Sequence, residues 1–289
     1  MVDYDPLYVA ARSVLLDALH ALGPQRDAVI VVGAQAVYLR TGNADIAVSP
    51  YTTDADLVLA PDLLTDEPHI DELMRSARFS QEGQPGSWIR SVAVGGRSVN
   101  IPVDLMVPEG LAPPGGSRGA RIEPHDKMAA RKALGLEGAV IDNDLMDIVA
   151  LDNRDPRSFE VRVAGPAALM VAKLYKLNDR LIAGRADRIA DKDAADVYRI
   201  MQAVPVDEFM SRLRPLLIDS RAEAVSTAAV ELLSELFGAR ASRGVQMAVE
   251  ALRVAVPPDR VENICTSFTR QVRDAVRPRF GGSDRPVRE

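Results

Sequence analysis

The sequence predicts an α/β protein of the α+β type, with a mixed sheet domain over residues 1–164 and an all-helical domain over 165–277. Short apolar runs typical of strands alternate with helical stretches in the first half of the chain. From Pro166 onward, nearly every window has helical periodicity. The change near Pro166 therefore predicts a domain boundary. Residues 278–289 are polar and rich in Gly and Pro, so we expect a flexible tail there.

The composition is typical of a globular protein and excludes a disordered, collagen-like or membrane protein. Of the 289 residues, 47% are hydrophobic and 26% are charged, and the net charge is −6. A net acidic chain is not a general nucleic-acid coat, although a local basic groove stays compatible with it. The single cysteine, Cys265, excludes a disulfide framework and favours a reducing compartment. The acidic start of the chain is unlike a signal peptide, so we expect a cytoplasmic protein.

The first half begins with a helix whose apolar residues recur at helical spacing, predicted over 7–22. A β-branched run at 28–32 predicts a buried strand, and a short helix over 34–40 follows it. The pair Gly95-Gly96 is a hairpin signal between two later strands. The remaining elements of this half are predicted as strands at 53–59, 87–94, 99–107, 145–151 and 158–163, and as helices at 67–78 and 125–134.

The second half contains Ala- and Leu-rich helical windows that are interrupted by proline and glycine. The interruptions are Pro205, Pro215, Gly238 and the Pro257-Pro258 pair. These signals predict helices over 166–182, 187–203, 206–217, 220–238, 242–255 and 258–276.

Three aspartates and one glycine in the first half form a pattern that points to metal-dependent phosphate chemistry. Gly33 ends a buried strand and begins a helix, so backbone N–H groups there can face a phosphate. Asp54 and Asp56 are two residues apart in a predicted strand, and their side chains therefore share a face. Asp104 lies inside another apolar strand, where an unpaired carboxylate is costly. Three such acids on neighbouring strands predict a divalent metal site.

A second charged group is predicted on two helices of the second half. Lys173, Lys176 and Arg180 fall on one helical stripe that borders an apolar stripe. On the next helix, Asp193 lies on the core-facing arc and Asp196 lies at its edge. An acid on that arc needs a partner, and Lys173 is the natural candidate. The residues leave two interpretations open: a phosphate-binding lysine, or a purely structural pair that holds two helices together.

Weaker candidates are single residues with ordinary structural explanations. His125 is interpreted as a surface or helix-capping residue. Arg118 and Arg121, in or beside a Gly/Pro-rich loop, could contact a polyanionic acceptor, but loop arginines are usually solvated. Trp88 and Tyr51 could stack a base, but aromatic residues near strands usually belong to the core.

The motifs together resemble the nucleotidyltransferase superfamily. The segments VVGAQAVYLRTG, YTTDADLVL and VDLMV match its pattern of a glycine after a strand, a DxD strand and a later third carboxylate. The segments LMVAKLYKLNDR and DKDAADV are similar to the second pair of motifs in the AbiEii branch, which includes the MenT toxins. The resemblance covers roughly residues 28–204.

The resemblance implies roles for the residues that match these motifs. Asp54, Asp56 and Asp104 would bind Mg²⁺, with Mn²⁺ as an alternative. Lys173 would contact the triphosphate, and Asp193 or Asp196 would support the lysine or the metal. Ala34 stands where the family usually has Gly or Ser, so a hydroxyl contact is lost while the backbone donor remains. The residues implied to bind the nucleotide are Gly33, Ala34, Thr53, Lys173, Lys176 and Asp193; those implied in catalysis are Asp54, Asp56, Asp104, Lys173 and Asp196.

The expected function is therefore transfer of a nucleotide from a nucleoside triphosphate to an acceptor hydroxyl. The resemblance implies RNA as acceptor, specifically the 3′ end of tRNA, and a toxin that can be paired with a cognate antitoxin protein. Two alternatives stay open at this stage. The acceptor could be a small molecule such as an aminoglycoside, or a protein hydroxyl. Alternatively, the chain could be a catalytically silent nucleotide-binding or interaction module.

Overall fold

A computed structural model describes residues 4–42, 51–115, 118–184 and 188–277, and the tail expected at 278–289 lies outside them. The chain begins with helix α1 (Pro6–Ala21), whose N-terminus is capped by Asp5, with the side-chain oxygen accepting from Leu7 N at 2.8 Å. The buried face of α1, which includes Leu15 and Leu19, packs on the sheet that follows. The amphipathic helix predicted at this end is thus confirmed.

The described residues form a sheet in which parallel and antiparallel strands are mixed. Its order is β3-β4-β5-β2-β1-β8-β7, and β6 pairs with β5 beside that path. The mixed α/β fold predicted from the sequence is confirmed. The strands are β1 (Val29–Val32), β2 (Ala55–Leu59), β3 (Ser80–Gln81), β4 (Ser87–Val94), β5 (Arg97–Pro108), β6 (Arg131–Ala133), β7 (Asn143–Val149) and β8 (Ser158–Ala164).

The centre of this sheet consists of β1, β2 and β5, which are the strands that carry the predicted acids. β1 is buried along its whole length and pairs antiparallel with β2, and β2 pairs parallel with β5. The β4–β5 hairpin turns at Gly95 and Gly96, both with positive φ, as the sequence predicts. Strand pairing in this order brings the start of β2, with its partner Asp104 on β5, next to the end of β1 and the start of the helix that follows it.

One predicted helix is wrong. Residues 125–134 form turns and the short strand β6, because Arg131 to Ala133 pair in parallel with Met106 to Pro108. His125 is also not a surface residue: it is buried, and its Nδ1 accepts the Ile70 N–H at 3.4 Å. Tertiary pairing with β5 overrides the local helical pattern here.

The helices of the second half begin directly after β8 and match the predicted breaks. Helix α2 (Gly33–Thr41) packs on both β1 and β2 and on α4 and α5, so it joins the sheet to the later helices. A continuous cluster of buried apolar side chains runs through both halves of the chain. None of the described helices is long and apolar enough to cross a membrane. The other helices are α3 (Ile70–Ser76), α4 (Pro166–Ile182), α5 (Arg188–Ala203), α6 (Val206–Leu216), α7 (Glu223–Phe237), α8 (Arg243–Leu252) and α9 (Pro258–Val276).

Candidate active site

The junction between β1 and α2 provides a free helix N-terminus beside a carboxylate. Gly33 is the first residue of α2, and its φ of 70° is in the left-handed region that favours glycine. No side chain caps this helix start, so first-turn N–H groups are available to an anion. A Cβ on Gly33 would collide with the carboxylate of Asp56. Glycine is therefore required both by the backbone conformation and by the close approach of Asp56.

Two of the predicted acids face each other across neighbouring strands. Asp56 pairs with Asp104 in the parallel β2–β5 register and with Val32 in the antiparallel β1–β2 register. Paired residues of adjacent strands project on the same face of a sheet, so both carboxylates lie at one edge, next to Gly33. Asp54 comes just before β2 instead of inside it, because β1 ends at Val32 and offers no partner beyond Asp56.

The position of Asp54 is fixed by hydrogen bonds that replace strand pairing. The hydroxyl of Thr52 donates to Asp54 Oδ1 in a short hydrogen bond. The backbone carbonyl of Asp54 accepts from Gln35 Nε2 at 3.0 Å, and Gln35 Oε1 in turn accepts from Arg12 Nε at 2.8 Å. Arg12 and Gln35 are both buried, so α1 and α2 together hold the segment that leads into the site. Thr53 lies partly buried between the bonded residues.

The electrostatics of Asp56 indicate that negative charge exceeds positive charge around its carboxylate. Burial and the nearby charge of Asp54 raise the pKa of Asp56 to about 6, and Asp104 acts in the same direction. Lys176 and Lys173 oppose this rise without cancelling it. An all-carboxylate donor set with a surplus of negative charge is suited to a hard divalent cation such as Mg²⁺. The residues present therefore fit the metal that the sequence predicts.

Asp104 has a cationic partner from β6. Arg131 Nη2 donates to Asp104 Oδ2 at 2.6 Å, and both side chains are partly exposed. Within the described residues, ligand atoms of three metal-binding side chains all lie within 4.8 Å of one another at Glu67, His69 and Glu72, on the surface around the start of α3. The three predicted aspartates are less tightly gathered than that group. The structure thus pairs Asp56 with Asp104 on neighbouring strands and gives Asp104 an arginine partner.

The second predicted group is a buried ion cluster between α4 and α5. Lys173 Nζ donates to Asp193 Oδ1 at 2.7 Å and to Asp196 Oδ2 at 2.6 Å, and only 5% of its side chain is exposed. Burial alone lowers the pKa of Lys173, but the two aspartates hold it well above its usual range. The lysine is therefore a permanent cation that neutralises two acids in the interior.

Lys176 and Arg180 surround the same cluster from the outside. Lys176 Nζ lies 3.8 Å from Asp193 Oδ1, and Arg180 Nη1 donates to Asp193 Oδ2. Lys176 is 43% exposed, unlike Lys173. Both lysines lower the pKa of Asp56, so their positive charges act on that carboxylate. Helix α2, which begins beside Asp56, packs on both α4 and α5.

The sequence did not single out Gln35, Tyr38 or Arg131 as site residues. Tyr38 on α2 donates its hydroxyl hydrogen to Tyr51 O at 3.0 Å, and the Arg199 guanidinium lies 5.2 Å from the centre of its ring. Arg131 was hidden by the wrong helix at 125–134. The signal for Gln35 was present, since a glutamine on the buried face of a short helix needs buried partners.

Comparison with known proteins agrees with this geometry. A family model described as Nucleotidyltransferase matches residues 11–225. No curated protein and no solved structure shows significant similarity to the chain. The match covers most of the chain, including the sheet edge with its aspartates and the cationic helices α4 and α5. The protein belongs to the nucleotidyltransferase family and is a transferase enzyme that uses a nucleoside triphosphate.

Proposed function

We propose that the protein transfers a nucleotide from a nucleoside triphosphate to a hydroxyl at the 3′ end of RNA, with tRNA as the natural acceptor. The observation that carries this proposal is the register of Asp56 with Asp104 beside the free N-terminus of α2. This arrangement places carboxylates where a metal-bound triphosphate and a hydroxyl can meet. The acceptor class itself is supported by the resemblance of the α4 and α5 motifs to the AbiEii branch.

The donor side of the site is formed by α2 and α4. The N–H groups that begin at Gly33 and Ala34 bind triphosphate oxygens, and the positive end of the helix dipole favours that charge. Lys176, which is the exposed lysine of the stripe, meets the β- and γ-phosphates. Lys173 orients Asp193 and Asp196 through two hydrogen bonds, and its positive charge adds to the attraction for the triphosphate. These cations stabilise charge that develops on the pyrophosphate as it leaves.

The acceptor side is formed by β5. The acceptor hydroxyl oxygen attacks the α-phosphorus, the new O–P bond forms, and the bond from the α-phosphorus to the bridging oxygen breaks with release of pyrophosphate. Asp104 lies on the flank away from Gly33, since β2 separates β5 from β1. Its carboxylate accepts the proton of the attacking hydroxyl. Arg131 orients this carboxylate before substrate binds.

Asp54, Asp56 and Asp104 would hold Mg²⁺, or Mn²⁺ in its place, since all three offer carboxylate oxygen. When bound, the cation supplies charge neutralisation for the triphosphate and lowers the pKa of the attacking hydroxyl. Before it binds, Thr52 and Gln35 hold Asp54 in place, so this part of the site is organised in advance.

The direct test is incorporation of label from each of the four α-³²P-labelled nucleoside triphosphates into total RNA in the presence of Mg²⁺. We expect one or more of them to label RNA, and tRNA to carry the label after separation on a gel. An Asp54→Ala variant is the matched control and should give no label. Absence of labelled RNA with all four nucleotides, from a folded protein that binds a nucleotide, would contradict the RNA acceptor.

The biological role proposed from the same resemblance is growth inhibition by a toxin with a cognate antitoxin. Induced expression should then stop bacterial growth, while the Asp54→Ala variant should not. Unimpaired growth with abundant active enzyme would rule out the toxin role while leaving the transfer reaction intact.

The alternatives are a small-molecule or protein hydroxyl as acceptor, and a silent binding module. The register of Asp56 with Asp104 and the presence of Asp54 and the cationic stripe support an active enzyme over a silent module. Replacing RNA by an aminoglycoside or by a mixture of proteins in the labelling assay separates the remaining acceptors.

A further inference from the structure

A second group of cations lies on the flank of the site opposite to the α4 stripe. A cleft of about 310 Å³ opens beside Asp104. Asp104 and Ser87 form its floor, since they are paired in the β4–β5 hairpin. Its walls carry the positive side chains of Arg118, Arg131 and Lys132. The cleft therefore contains three cations and one carboxylate, and that carboxylate is the one assigned to the acceptor hydroxyl.

Two of these cations are held in place by neutral oxygen atoms. Arg118 Nη1 donates to Gln84 Oε1 at 2.8 Å, and Lys132 Nζ donates to Pro113 O at 3.1 Å and to Gly115 O at 2.8 Å. Within the part of the chain that the structure describes, neither side chain forms an ion pair. Both residues line the cleft, so these two cations add positive charge to it without an internal counter-ion.

The backbone makes the two cations a single unit. The Lys132 N–H donates to Arg118 O at 2.8 Å, and Gly119 bridges to Arg131. The segment before β6 is in this way fastened to β6, which is itself paired with β5. The cations consequently stand at a fixed distance from Asp104. Such a rigid pair is suited to an oxyanion with several acceptor oxygens.

The strand order separates this cleft from the donor side. Gly33 follows β1, Asp56 lies on β2, and Asp104 lies on β5, so the carboxylates stand between the α4 stripe and the cleft. A triphosphate bound at Gly33 and Lys176 leaves the cleft empty. We propose that the cleft of Arg118, Arg131 and Lys132 binds the phosphodiester next to the acceptor hydroxyl, which makes a nucleic-acid strand the acceptor. This inference rests on the proposed function and deepens it.

The charge of the cleft also discriminates between acceptor classes. A polycation such as an aminoglycoside is repelled by three positive side chains. A protein hydroxyl needs no anion site beside it. A single-stranded RNA end offers both the hydroxyl and an adjacent phosphate, and phosphate contacts position nucleic acids without reading their sequence.

The first test measures binding without any nucleotide, so that its outcome is independent of transfer. The probe is a short 5′-fluorescein-labelled single-stranded RNA, and fluorescence anisotropy gives its Kd. Arg118→Ala and Lys132→Ala should each raise this Kd about five- to tenfold, and should reduce the slope of log affinity against log salt by about 0.7. The affinity for ATP should change less than twofold. Arg118→Lys should recover part of the loss, since it keeps the charge.

Arg97→Ala is the matched control. Arg97 is an exposed cation on the same strand as Asp104, about 20 Å away at the hairpin end. This variant changes the net charge equally and should leave the RNA Kd within twofold of the native protein. Unchanged RNA affinity in Arg118→Ala and Lys132→Ala would overturn the proposal. An equal loss of ATP and RNA affinity would also overturn it, because the cleft would then belong to the donor.

A second test locates the phosphate itself. We compare unmodified RNA with an RNA whose last internucleotide linkage is a neutral methylphosphonate. The native protein should bind the modified RNA about five- to tenfold more weakly than the unmodified RNA. Arg118→Ala should bind the two RNAs equally well, because the contact that distinguishes them is already lost. Additive losses would refute a direct contact. If the two losses are not additive but no nucleotide is transferred to RNA, the cleft binds the phosphate and the proposed function is wrong. If nucleotide is transferred to RNA but the losses are additive, the proposed function stands and the role of the cleft is wrong.

Discussion

Two clusters of charged side chains in this protein differ in their net charge and in their exposure to solvent. At the sheet edge, Asp54, Asp56 and Asp104 are partly exposed, and Arg131 is the partner that pairs directly with one of them. Between α4 and α5, Lys173 and its two aspartates are buried and tightly bonded. In the first cluster, burial and a surplus of negative charge raise the pKa of Asp56. In the second cluster, the charge of Lys173 is neutralised by Asp193 and Asp196.

This difference distinguishes residues that are suited to binding a ligand from residues that stabilise the fold. Unpaired like charges are costly unless a ligand supplies the missing charge, so we propose that the sheet edge binds a cation. A buried ion pair that is complete contributes little net stability but is costly to break. We therefore propose that Lys173 is primarily a positioning residue and that the exposed Lys176 contacts the triphosphate.

The largest effect is expected from Asp54→Ala. Loss of one of three metal-binding carboxylates should reduce transfer by at least about 10³-fold. The melting temperature should stay equal or rise slightly, because removal of an acid relieves repulsion in the metal-free protein. Turnover and thermal melting on the same preparation check both parts. A variant with normal turnover would remove Asp54 from the site.

The next effect separates two lysines on one helix. Lys173→Met should lower the free energy of unfolding by about 3–5 kcal/mol, because the buried Asp193 and Asp196 both lose the lysine to which they are hydrogen-bonded. Lys176→Met, three residues later and exposed, should change stability by less than about 0.5 kcal/mol and should instead weaken nucleotide binding. Denaturant unfolding of both variants measures the free energy of unfolding, and nucleotide titration measures the affinity for nucleotide. The two measurements together distinguish a structural lysine from a nucleotide-binding one. A stable Lys173→Met protein that has lost only turnover would make Lys173 a direct phosphate ligand.

The sequence predicted the second half well, because its elements depend on local signals. The helices α4 and α9 coincide with the predicted windows, and α6 begins directly after the break at Pro205. Proline and glycine define these ends, and periodicity defines the faces. The same holds for the strands β1 and β2 and the hairpin of β4 and β5. Local rules suffice wherever an element is chosen by its own residues.

Pairing between distant strands could not be predicted in this way. Residues 125–134 have a helical pattern, but β6 forms because β5 extends far enough to pair with it. His69 and His125 are far apart in the sequence, yet the centres of their rings lie 5.8 Å apart. Arg131 reaches Asp104 only through that strand pairing. Long-range register decided each of these contacts, and no local pattern encodes it.

An intermediate effect is expected from Gly33→Ala, with Gly42→Ala as its control at the other end of α2. Both glycines have positive φ, so alanine should cost each variant about 1–2 kcal/mol. Only at Gly33 does the new Cβ also meet Asp56, whereas at Gly42 no atom of the described residues lies within 4 Å of it. Gly33→Ala should thus lose transfer activity per folded molecule, and Gly42→Ala should keep it. Equal activity in the two variants would show that the contact with Asp56 is unimportant.

The smallest effect is a pH-dependent gain in stability from Asp56→Asn, measured without metal. The folded-state pKa of Asp56 is about 6 against an ordinary value of 3.8, so the native protein favours the protonated acid. Stability from this group is fully present below pH 3.8 and is lost as the pH rises through 6. The full rise in pKa corresponds to about 3 kcal/mol, and the partial exposure of Asp56 reduces this value. Asparagine carries no such charge, so the variant should be about 1–2 kcal/mol more stable than the native protein at pH 8, and the gain should vanish near pH 4. Adding Mg²⁺ should stabilise the native protein at pH 8 and reverse the order, because the ionised carboxylate then has its partner. A difference that is independent of both pH and Mg²⁺ would mean that Asp56 is an ordinary strand residue.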